Sequence, residues 1–501
     1  MSNLNKVIFF PIHPTSWSTM FTLALRTKEQ GRYEPVMLLT ESIAHNLDLC
    51  KREGIEAYLF NSNFLAAIGE KQQGIRGPIK KQIFGRNYIY RAVKKIYQLF
   101  YKLFRRIDRW THGHSFSSSL YQLIRFCFAV IYYKNYQRII ISVLEKINPK
   151  AVYIYIDNPG DIFALFAVTC LKRKIKIVIP AASFQHPDLV AGTRDKHPYM
   201  TINSFGSPLI NFLIKKYFPN QFYSYKGKEV LHYMAYEVLA MHLCGILPPY
   251  PWVRGKNFCD IICVEDFYQK ERLIQLGVEA NKIAVTGHIE FDNLWQVKQR
   301  HTKMEIYDKY NFQKDKVLIV LALPQLKYHN VVKTWEEHWQ EMEFYVQSAV
   351  GSKQNVLIVL HPKAHKEDYK FLTQKYNCAL HMGQTSEVVL FADIFVAGGS
   401  STIFWAISCG AIVIDFSPLN GYTQESPFAY LKSIVRIYKR AELAQEINRL
   451  ANEPTVFLSR REQVLDEQKR YCVPLDGHNH HRFLSLIDGE ISQESLNTAS
   501  F

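Results

Sequence analysis

The chain has 501 residues, of which 48% are apolar and 21% are charged. A disordered chain is excluded, and the length is too great for one hydrophobic core, so we expect two globular domains and an insertion. The chain contains no run of about 18 uncharged apolar residues of the kind that predicts a membrane-spanning helix.

Cysteine and histidine usage indicates the compartment and the metal content. Nine cysteines without regular spacing predict reduced thiols in a cytoplasmic protein, and no signal peptide is recognisable before the first strand. The histidines lack the spacing of a zinc site. We therefore expect neither a metal ion nor a resident cofactor.

The first 300 or so residues alternate between strands and helices. Helices are predicted between apolar runs, for example at 41–53 and 267–276. Strands separated by helices indicate a doubly wound parallel sheet, and we assign 1–296 to an N-terminal α/β domain. The predicted strands lie at 6–10, 35–40, 55–60, 151–156, 175–179, 260–264 and 282–286.

A basic helical insertion, at about 74–147, interrupts this alternation. The net charge of the chain is +16, and 76–109 alone contribute +10, from eleven lysines and arginines against one aspartate. Apolar and aromatic residues recur there at helical spacing with basic residues on the flanks, a pattern typical of a helix lying on an anionic membrane. A solvated helix packed on the domain and a face that binds nucleic acid are the alternatives, and we favour the membrane. The cations expected at the membrane are Arg91, Lys94, Lys95, Lys102, Arg105 and Arg106.

A second α/β domain follows a polar stretch at 297–316, which we predict to be a linker. The C-terminal domain would span 317–455, and 456–501 would form a tail that crosses back to the first domain. Two such domains facing each other place a ligand in the cleft at the carboxyl ends of their strands. The predicted strands of the second domain lie at 317–323, 356–360, 379–382, 393–397, 411–416 and 434–437.

The turn after the strand at 393–397 combines the features of a phosphate site. It reads Gly398-Gly399-Ser400-Ser401-Thr402 and leads into an apolar helix. Glycines let the backbone approach a ligand, hydroxyl groups can donate hydrogen bonds, and a helix N-terminus suits an anion. A tight turn with a capped helix is the structural alternative.

The layout and several short strings resemble GT-B glycosyltransferases of bacterial surface polysaccharide synthesis. Residues 186–194 and 263–292 are similar to UDP-N-acetylglucosamine 2-epimerase. His361-Pro362 and Ser400-Ser401 resemble motifs of bacterial sialyltransferases, and Kdo transferases carry a similar His-Pro motif. The resemblance implies that His361, Ser400 and Ser401 contact the phosphate of a nucleotide donor. The donor site would be completed by Pro362, Gly398, Gly399, Thr402 and Glu425, the last of these near the ribose.

We therefore expect a metal-independent glycosyltransferase, peripheral on the inner face of the cell membrane. It would move a sugar from a CMP-, UDP- or CDP-linked donor to a glycan or lipid-linked acceptor of capsule or lipopolysaccharide synthesis. The absence of an Asp-x-Asp motif fits metal independence. A nucleotide-sugar epimerase or hydrolase, or a non-catalytic protein that binds the membrane surface, are the alternatives. The general base would come from the first domain, where the candidates are Asp157, Asp161 (favoured), Asp188 and His13.

The membrane hypothesis predicts that neutral replacements at Arg105 and Arg106 reduce association with anionic liposomes. The loss should be larger at low salt, because surface charges are screened less there. Liposome co-sedimentation at two ionic strengths measures this, with the same two charges removed at Lys314 and Lys316 as the control. Unchanged association of the Arg105 and Arg106 variant would rule out the predicted role of this helix.

Overall fold

A computed structural model describes most of the chain, which folds into two compact units. The first unit comprises Met1–Cys263, Lys270–Ala284 and Leu484–Gln493, and the remainder forms the second unit. The described residues are 4–11, 14–60, 115–157, 162–181, 187–195, 200–201, 208–328, 331–361, 364–398, 400–416, 428 and 430–489.

Nine strands lie among the described residues of the first part of the chain. Seven of them form one sheet in the order β3-β2-β1-β4-β5-β8-β9, and β6 and β7 form a separate antiparallel pair. The strands are β1 (Lys6–Phe10), β2 (Glu34–Leu39), β3 (Glu56–Leu59), β4 (Pro149–Ile154), β5 (Lys176–Ile179), β6 (Phe222–Tyr225), β7 (Lys228–Leu231), β8 (Ile261–Val264) and β9 (Ile283–Val285).

Helices connect these strands, and the longest of them is the 33-residue α3. Within the described residues, no helix combines the length and apolar character needed to cross a bilayer. The helices are α1 (Pro14–Gln30), α2 (Leu47–Arg52), α3 (Ser115–Ile147), α4 (Ile162–Lys172), α5 (Pro187–Arg194), α6 (Pro208–Tyr217), α7 (Ala235–Leu243) and α8 (Phe267–Gln275), with 3-10 turns at Glu41–Asn46, Pro219–Gln221 and Ala280–Lys282.

Aromatic side chains fill the centre of the first sheet. Phe9 of β1 is paired in register with Tyr153 of β4, and their rings stack with centroids 5.0 Å apart. Phe10, the next residue, meets Phe166 of α4 on the other face at 5.0 Å. Such pairs add about 0.5–1.5 kcal/mol each beyond their buried area. Apolar residues on both faces of a strand are typical of a parallel sheet covered on both sides.

The last described helix, α16 (Asn479–Asp488), contributes its end to the first unit. The carboxylate of Asp488 accepts hydrogen bonds from the Tyr33 hydroxyl and the Lys150 ammonium, and it forms an ion pair with Arg32 at 3.0 Å. The Lys176 ammonium donates to the carbonyl of Leu486 at 2.5 Å. These contacts join residues near the end of the chain to strands formed near its beginning.

The second unit has a six-stranded sheet in the order β12-β11-β10-β13-β14-β15, parallel throughout. Its strands are β10 (Leu318–Leu323), β11 (Asn355–Leu360), β12 (Ala379–Leu380), β13 (Ile394–Ala397), β14 (Ile412–Phe416) and β15 (Val435–Ile437). Its helices are α9 (Glu290–Arg300), α10 (Lys303–Tyr310), α11 (Trp335–Val350), α12 (Lys370–Lys375), α13 (Thr402–Ser408), α14 (Glu442–Asn452), α15 (Pro454–Tyr471) and α16, with 3-10 turns at Lys366–Tyr369, Thr385–Glu387 and Val389–Phe391.

The structure corrects the predicted linker at 297–316. Most of this stretch is helical, and Ile306 and Tyr307 of α10 are buried in the core of the second unit. Thr302 caps α10 by accepting a hydrogen bond from the backbone of Glu305, and Asn311 ends it in the left-handed conformation with φ of 55°. Only one narrow face of α10 is apolar, so the stretch resembles a solvated linker in sequence.

A buried carboxylate, that of Asp266, joins three segments of the second unit. It accepts hydrogen bonds from the backbone of Gln269 at 2.6 Å and from the Tyr430 hydroxyl at 3.0 Å, and its backbone pairs with that of Cys472. Burial raises the pKa of this carboxyl to about 7, although the hydrogen bonds oppose the rise. Near neutral pH the folded protein therefore keeps a proton on Asp266 that the unfolded chain releases.

This raised pKa predicts a pH-dependent effect of the Asp266→Asn substitution. Between about pH 4 and 7 the folded native protein binds more protons at this site than the unfolded chain, so its stability falls as pH rises through that window. Asparagine does not ionise, so the variant does not lose this stability as the pH rises. Relative to the native protein, its free energy of unfolding should therefore increase from pH 4 upward, by up to about 4 kcal/mol above pH 7. Thermal unfolding at pH 4 and pH 7 measures the difference, with Asp315→Asn at a solvent-exposed position as the control. A difference that does not change with pH would contradict the raised pKa.

Candidate functional site

The carboxyl edge of the second sheet brings two predicted motifs to the same side. Leu323 of β10 pairs with Leu360 of β11, and Leu321 pairs with Val396 of β13. These registers end the three strands at the same level. His361 follows β11 directly, and the turn that begins at Gly398 follows β13. The two segments leave the edge on either side of β10, about 10 Å apart at ordinary strand spacing.

The hydroxyl groups of the turn bond to one another and to its backbone. Ser400 Oγ lies 2.8 Å from Thr402 Oγ1 and accepts a hydrogen bond from the backbone N–H of Thr402 at 3.3 Å. The helix that follows, α13, has seven residues, and the side chain of its N-cap residue Ser401 makes no capping hydrogen bond. Ser401 is exposed. Because so short a helix adds little dipole field, the hydroxyl groups are the principal polar groups that the turn offers to a ligand.

Strand packing, independent of any ligand, explains why residue 398 is a glycine. A Cβ atom added there would lie 2.5 Å from the carbonyl oxygen of Phe416 and 3.2 Å from the Tyr345 hydroxyl. That hydroxyl already donates to the Phe416 carbonyl at 3.2 Å. The strand β13 therefore needs a glycine at its end in order to lie beside β14. The predicted donor-binding role of Gly398 is not required to explain this residue.

His361 is half-buried where β11 ends. Its carbonyl accepts a hydrogen bond from the backbone N–H of Ala364 at 2.8 Å. The predicted donor-site residues Pro362, Gly399 and Glu425 lie outside the described residues. Of the predicted donor site, the structure thus describes His361, Gly398, Ser400, Ser401 and Thr402.

A buried polar cluster was not predicted; it joins Gln325 after β10, His338 of α11 and Tyr369 of the 3-10 turn after β11. The Gln325 amide donates to the Tyr369 hydroxyl at 3.1 Å, and that hydroxyl lies 3.1 Å from Nε2 of His338. Burial lowers the pKa of His338 to about 4, so its imidazole is neutral at pH 7. Gln325 Oε1 and His338 Nδ1 have no hydrogen-bond partner among the described atoms. The available signal was the position of Gln325, two residues after a predicted strand.

The structure favours an architectural role for Asp157 over the predicted role of general base. Its side chain is 1% exposed, and its oxygens accept hydrogen bonds from the backbone of Gly255 at 3.1 Å and of Asn257 at 3.0 Å. Burial raises the pKa of this carboxyl, while these hydrogen bonds and the nearby Arg254 oppose the rise. A carboxylate so enclosed holds the 255–259 loop and is not open to an acceptor hydroxyl.

Asp188 is the predicted base that the structure leaves accessible. It lies half-buried in the first turn of α5, and its Oδ1 accepts a hydrogen bond from the Tyr223 hydroxyl at 2.7 Å. Burial first, and then this carboxylate, raise the pKa of Tyr223 to about 12, so the phenol stays protonated and keeps donating. The other predicted bases, Asp161 and His13, lie outside the described residues.

Two further predictions concern a metal ion and the cations at the membrane. No cluster of three or more histidine, cysteine or acidic side chains suited to a metal ion occurs among the residues that the structure describes. The six cations predicted to contact a membrane, Arg91, Lys94, Lys95, Lys102, Arg105 and Arg106, all lie outside the described residues.

Solved structures share the fold of this chain, although no protein-family model and no curated protein match it. The calicheamicin glycosyltransferase CalG4 matches with a TM-score of 0.51 at 12% identity, over 100% of this chain and 100% of its own. The glycotransferase of kitacinnamycin matches with a TM-score of 0.50 at 11% identity, over 98% of this chain and 100% of its own. A putative UDP-N-acetylglucosamine 2-epimerase from Listeria monocytogenes matches at 14% identity over 98% of each chain. Its TM-score of 0.48 is below the level at which a shared fold can be inferred.

These identities are low, so the likeness concerns the fold alone. The predicted fold class is confirmed: the chain has the two doubly wound, parallel-sheet, Rossmann-like parts of the GT-B fold. Glycosyltransferases are among the proteins that share this fold.

The close approach of β13 and β14 predicts that Gly398→Ala destabilises the second unit. The added methyl group must displace the Phe416 carbonyl, and overpacking of this kind costs about 1–3 kcal/mol. The melting temperature should fall by about 2–4 °C per kcal/mol. Gly351→Ala is the control, because this glycine has φ of −56° and its nearest neighbour, the Gln347 carbonyl, would be 3.3 Å away. A Gly398→Ala variant with native stability and no nucleotide binding would show that ligand approach, not strand packing, requires the glycine.

Proposed function

We propose that this chain is a glycosyltransferase whose nucleotide-sugar donor binds at the carboxyl edge of the second sheet. One observation carries the proposal: the strand registers bring His361 and the turn 398–402 to the same edge, with one strand between them. In open parallel sheets, ligands bind at the carboxyl ends of the strands, where neighbouring loops can hold them from two sides. The GT-B fold supports a nucleotide-sugar substrate of this kind.

The hydroxyl groups of the turn would bind the donor phosphate. Ser400 and Thr402 already share a hydrogen bond of 2.8 Å, and Ser401 is exposed beside them. Hydroxyl groups rotate to donate to an anion, and His361 would donate from the opposite side of β10. Groups placed in this way stabilise the negative charge that develops on the phosphate as the sugar leaves. Pro362, Gly399 and Glu425 would complete the donor site.

A general base of the first unit would activate the acceptor hydroxyl. Asp188 is accessible and is held by the Tyr223 hydroxyl, whereas Asp157 is enclosed by backbone N–H groups. Asp188, Asp161 and His13 therefore remain the candidates for this base. The acceptor would be a surface glycan or a lipid-linked sugar at the inner face of the cell membrane, and the donor a CMP-, UDP- or CDP-linked sugar, used without a metal ion.

The proposal predicts that the double substitution Ser400→Ala with Ser401→Ala weakens nucleotide binding. Hydrogen bonds to a charged group contribute about 1.5–3 kcal/mol, so affinity should fall by about tenfold to a hundredfold. Thermal shift against CMP, CDP, UDP and GDP first identifies the nucleotide, because a ligand of the native state raises its stability with RT ln(1 + [L]/Kd). Titration calorimetry then compares the variant with the native protein.

Ser459→Ala, at an exposed serine of α15, serves as the matched control and should bind nucleotide as the native protein does. Equal affinity for the native protein and the double variant would exclude the turn as the phosphate site. Incubation with the donor sugar alone then separates the reaction classes. Conversion of the sugar without any acceptor would identify an epimerase or a hydrolase instead of a transferase.

A further inference from the structure

Apolar side chains form an exposed stripe along the first half of α3. Leu123 is 57% exposed and Ile131 is 44% exposed, with the exposed Cys127 midway between them. Because these residues are spaced four apart, they lie on one face of the helix. An apolar stripe on the outer face of a helix is the reverse of the usual arrangement, in which the apolar face is turned to the core.

The neighbouring helices α6 and α7 add further exposed apolar groups. Phe212 and Tyr217 of α6 are 61% and 62% exposed, and Leu213 beside them is also exposed. Leu243, the last residue of α7, is 61% exposed. Ile214 is fully buried, so it attaches α6 to the rest of the unit while its neighbours face outward.

Contacts link the three helices that carry these exposed groups. The guanidinium of Arg125 on α3 lies 5.1 Å from the centre of the Tyr236 ring on α7. Phe218, directly after α6, meets the ring of His242 near the end of α7 at 4.7 Å. Helix α7 is therefore in contact with α3 near its beginning and with the end of α6 near its own end.

The charges around this surface are positive. The stripe of α3 continues with the exposed Lys134 and Arg138, and α6 carries the exposed Lys215 and Lys216. The only acid of α3, Glu145, lies near the end of the helix and pairs with Arg173. The α6 sequence contains no acid, and the acid of α7, Glu237, caps its own helix by accepting from the backbone of Met234. Lys215 pairs with the exposed Glu229, which leaves three of these four cations without a described ion pair.

We propose that this surface binds an anionic lipid bilayer directly. It is formed by Leu123, Cys127, Ile131, Phe212, Leu213, Tyr217 and Leu243 with the surrounding cations, and is called the α3–α6–α7 surface below. The leucine, isoleucine and aromatic side chains enter the interfacial region, and the lysines and arginines reach anionic headgroups. This inference goes beyond the proposed donor site and involves none of its residues.

Charge favours a bilayer over a second copy of the chain. A two-fold interface would set this surface against itself, so the cations of one copy would face those of the other. Like charges placed together across an interface cost several kcal/mol, whereas anionic lipid headgroups neutralise them. Aliphatic side chains in the centre of the surface likewise suit acyl chains better than the phosphates and bases of a nucleic acid.

Cys127 gives a direct test, because it is the only exposed cysteine of the nine. An environment-sensitive fluorophore attached to Cys127 of the full chain reports the polarity around the centre of the surface, with Cys127→Ser treated in the same way to correct for labelling elsewhere. We expect a blue shift and protection from iodide quenching when vesicles of phosphatidylcholine with phosphatidylglycerol are added. Pure phosphatidylcholine vesicles should give a much smaller response.

Substitutions separate this surface from the rest of the chain. Leu123→Ser with Ile131→Ser should lower the apparent partition coefficient on the anionic vesicles by about tenfold or more, since each side chain loses most of its apolar transfer energy. Leu458→Ser on α15 of the second unit is the matched control, as this leucine is 60% exposed and should not affect binding. Nucleotide affinity and transfer to a soluble acceptor should be native in the double variant and in the Leu458→Ser control. Loss of lipid binding and failure of the donor site are thus measured separately.

Four outcomes would overturn the inference. Unchanged partitioning of the double variant would show that another part of the chain carries any lipid binding. A Cys127 label that is already shielded without lipid would show that the surface is covered. If light scattering then finds a dimer, a second copy covers the surface. If it finds a monomer, another segment of the same chain covers it. When RNA and anionic vesicles compete for the protein, preferential binding of RNA would identify a nucleic acid as the partner.

Discussion

Parallel strand pairing is the constraint on which the rest of this structure depends. A parallel neighbour cannot be reached through a hairpin, so the chain must return over a face of the sheet, usually as a helix. The returning helices cover both faces, and the strands become apolar on both sides, as in β11, where all six residues are buried. Polar chemistry is thereby confined to the ends of the strands. The candidate donor site lies at such an edge for this reason.

The same constraint explains which elements could be predicted from the sequence. Buried strands such as β10, β11 and β14 are short apolar runs that end at turn residues, and their predicted bounds agree with the structure within about two residues. The hairpin of β6 and β7 was missed because its residues are mostly polar and aromatic. Its signal was the pair Lys226-Gly227, which has φ of 49° and 75° and forms the two-residue turn that such hairpins favour.

The site was less predictable than the fold, because a residue at a strand end can serve a ligand or the protein itself. Asp157 and Gly398 both had the position expected of a functional residue. In the structure, Asp157 accepts a hydrogen bond from the backbone of Asn257, 100 residues away. Gly398 lies close against the Phe416 carbonyl on the next strand. Neither partner is visible in a local motif. The strand registers, which no local motif reveals, bring His361 and the turn that begins at Gly398 to one edge of the second sheet.

The contacts around Asp488 set an order of events during synthesis of the protein. Lys176 bonds to the carbonyl of Leu486, 310 positions later, and the apolar Leu484, Leu486 and Ile487 are buried. At a translation rate of ~5–20 residues per second, roughly 15–60 s separate the two partners on the ribosome. Throughout that interval the nascent N-terminal sheet exposes the apolar surface that these residues later cover. The first unit, whose strand β1 begins at Lys6, is thus completed only after Asp488 has been synthesised.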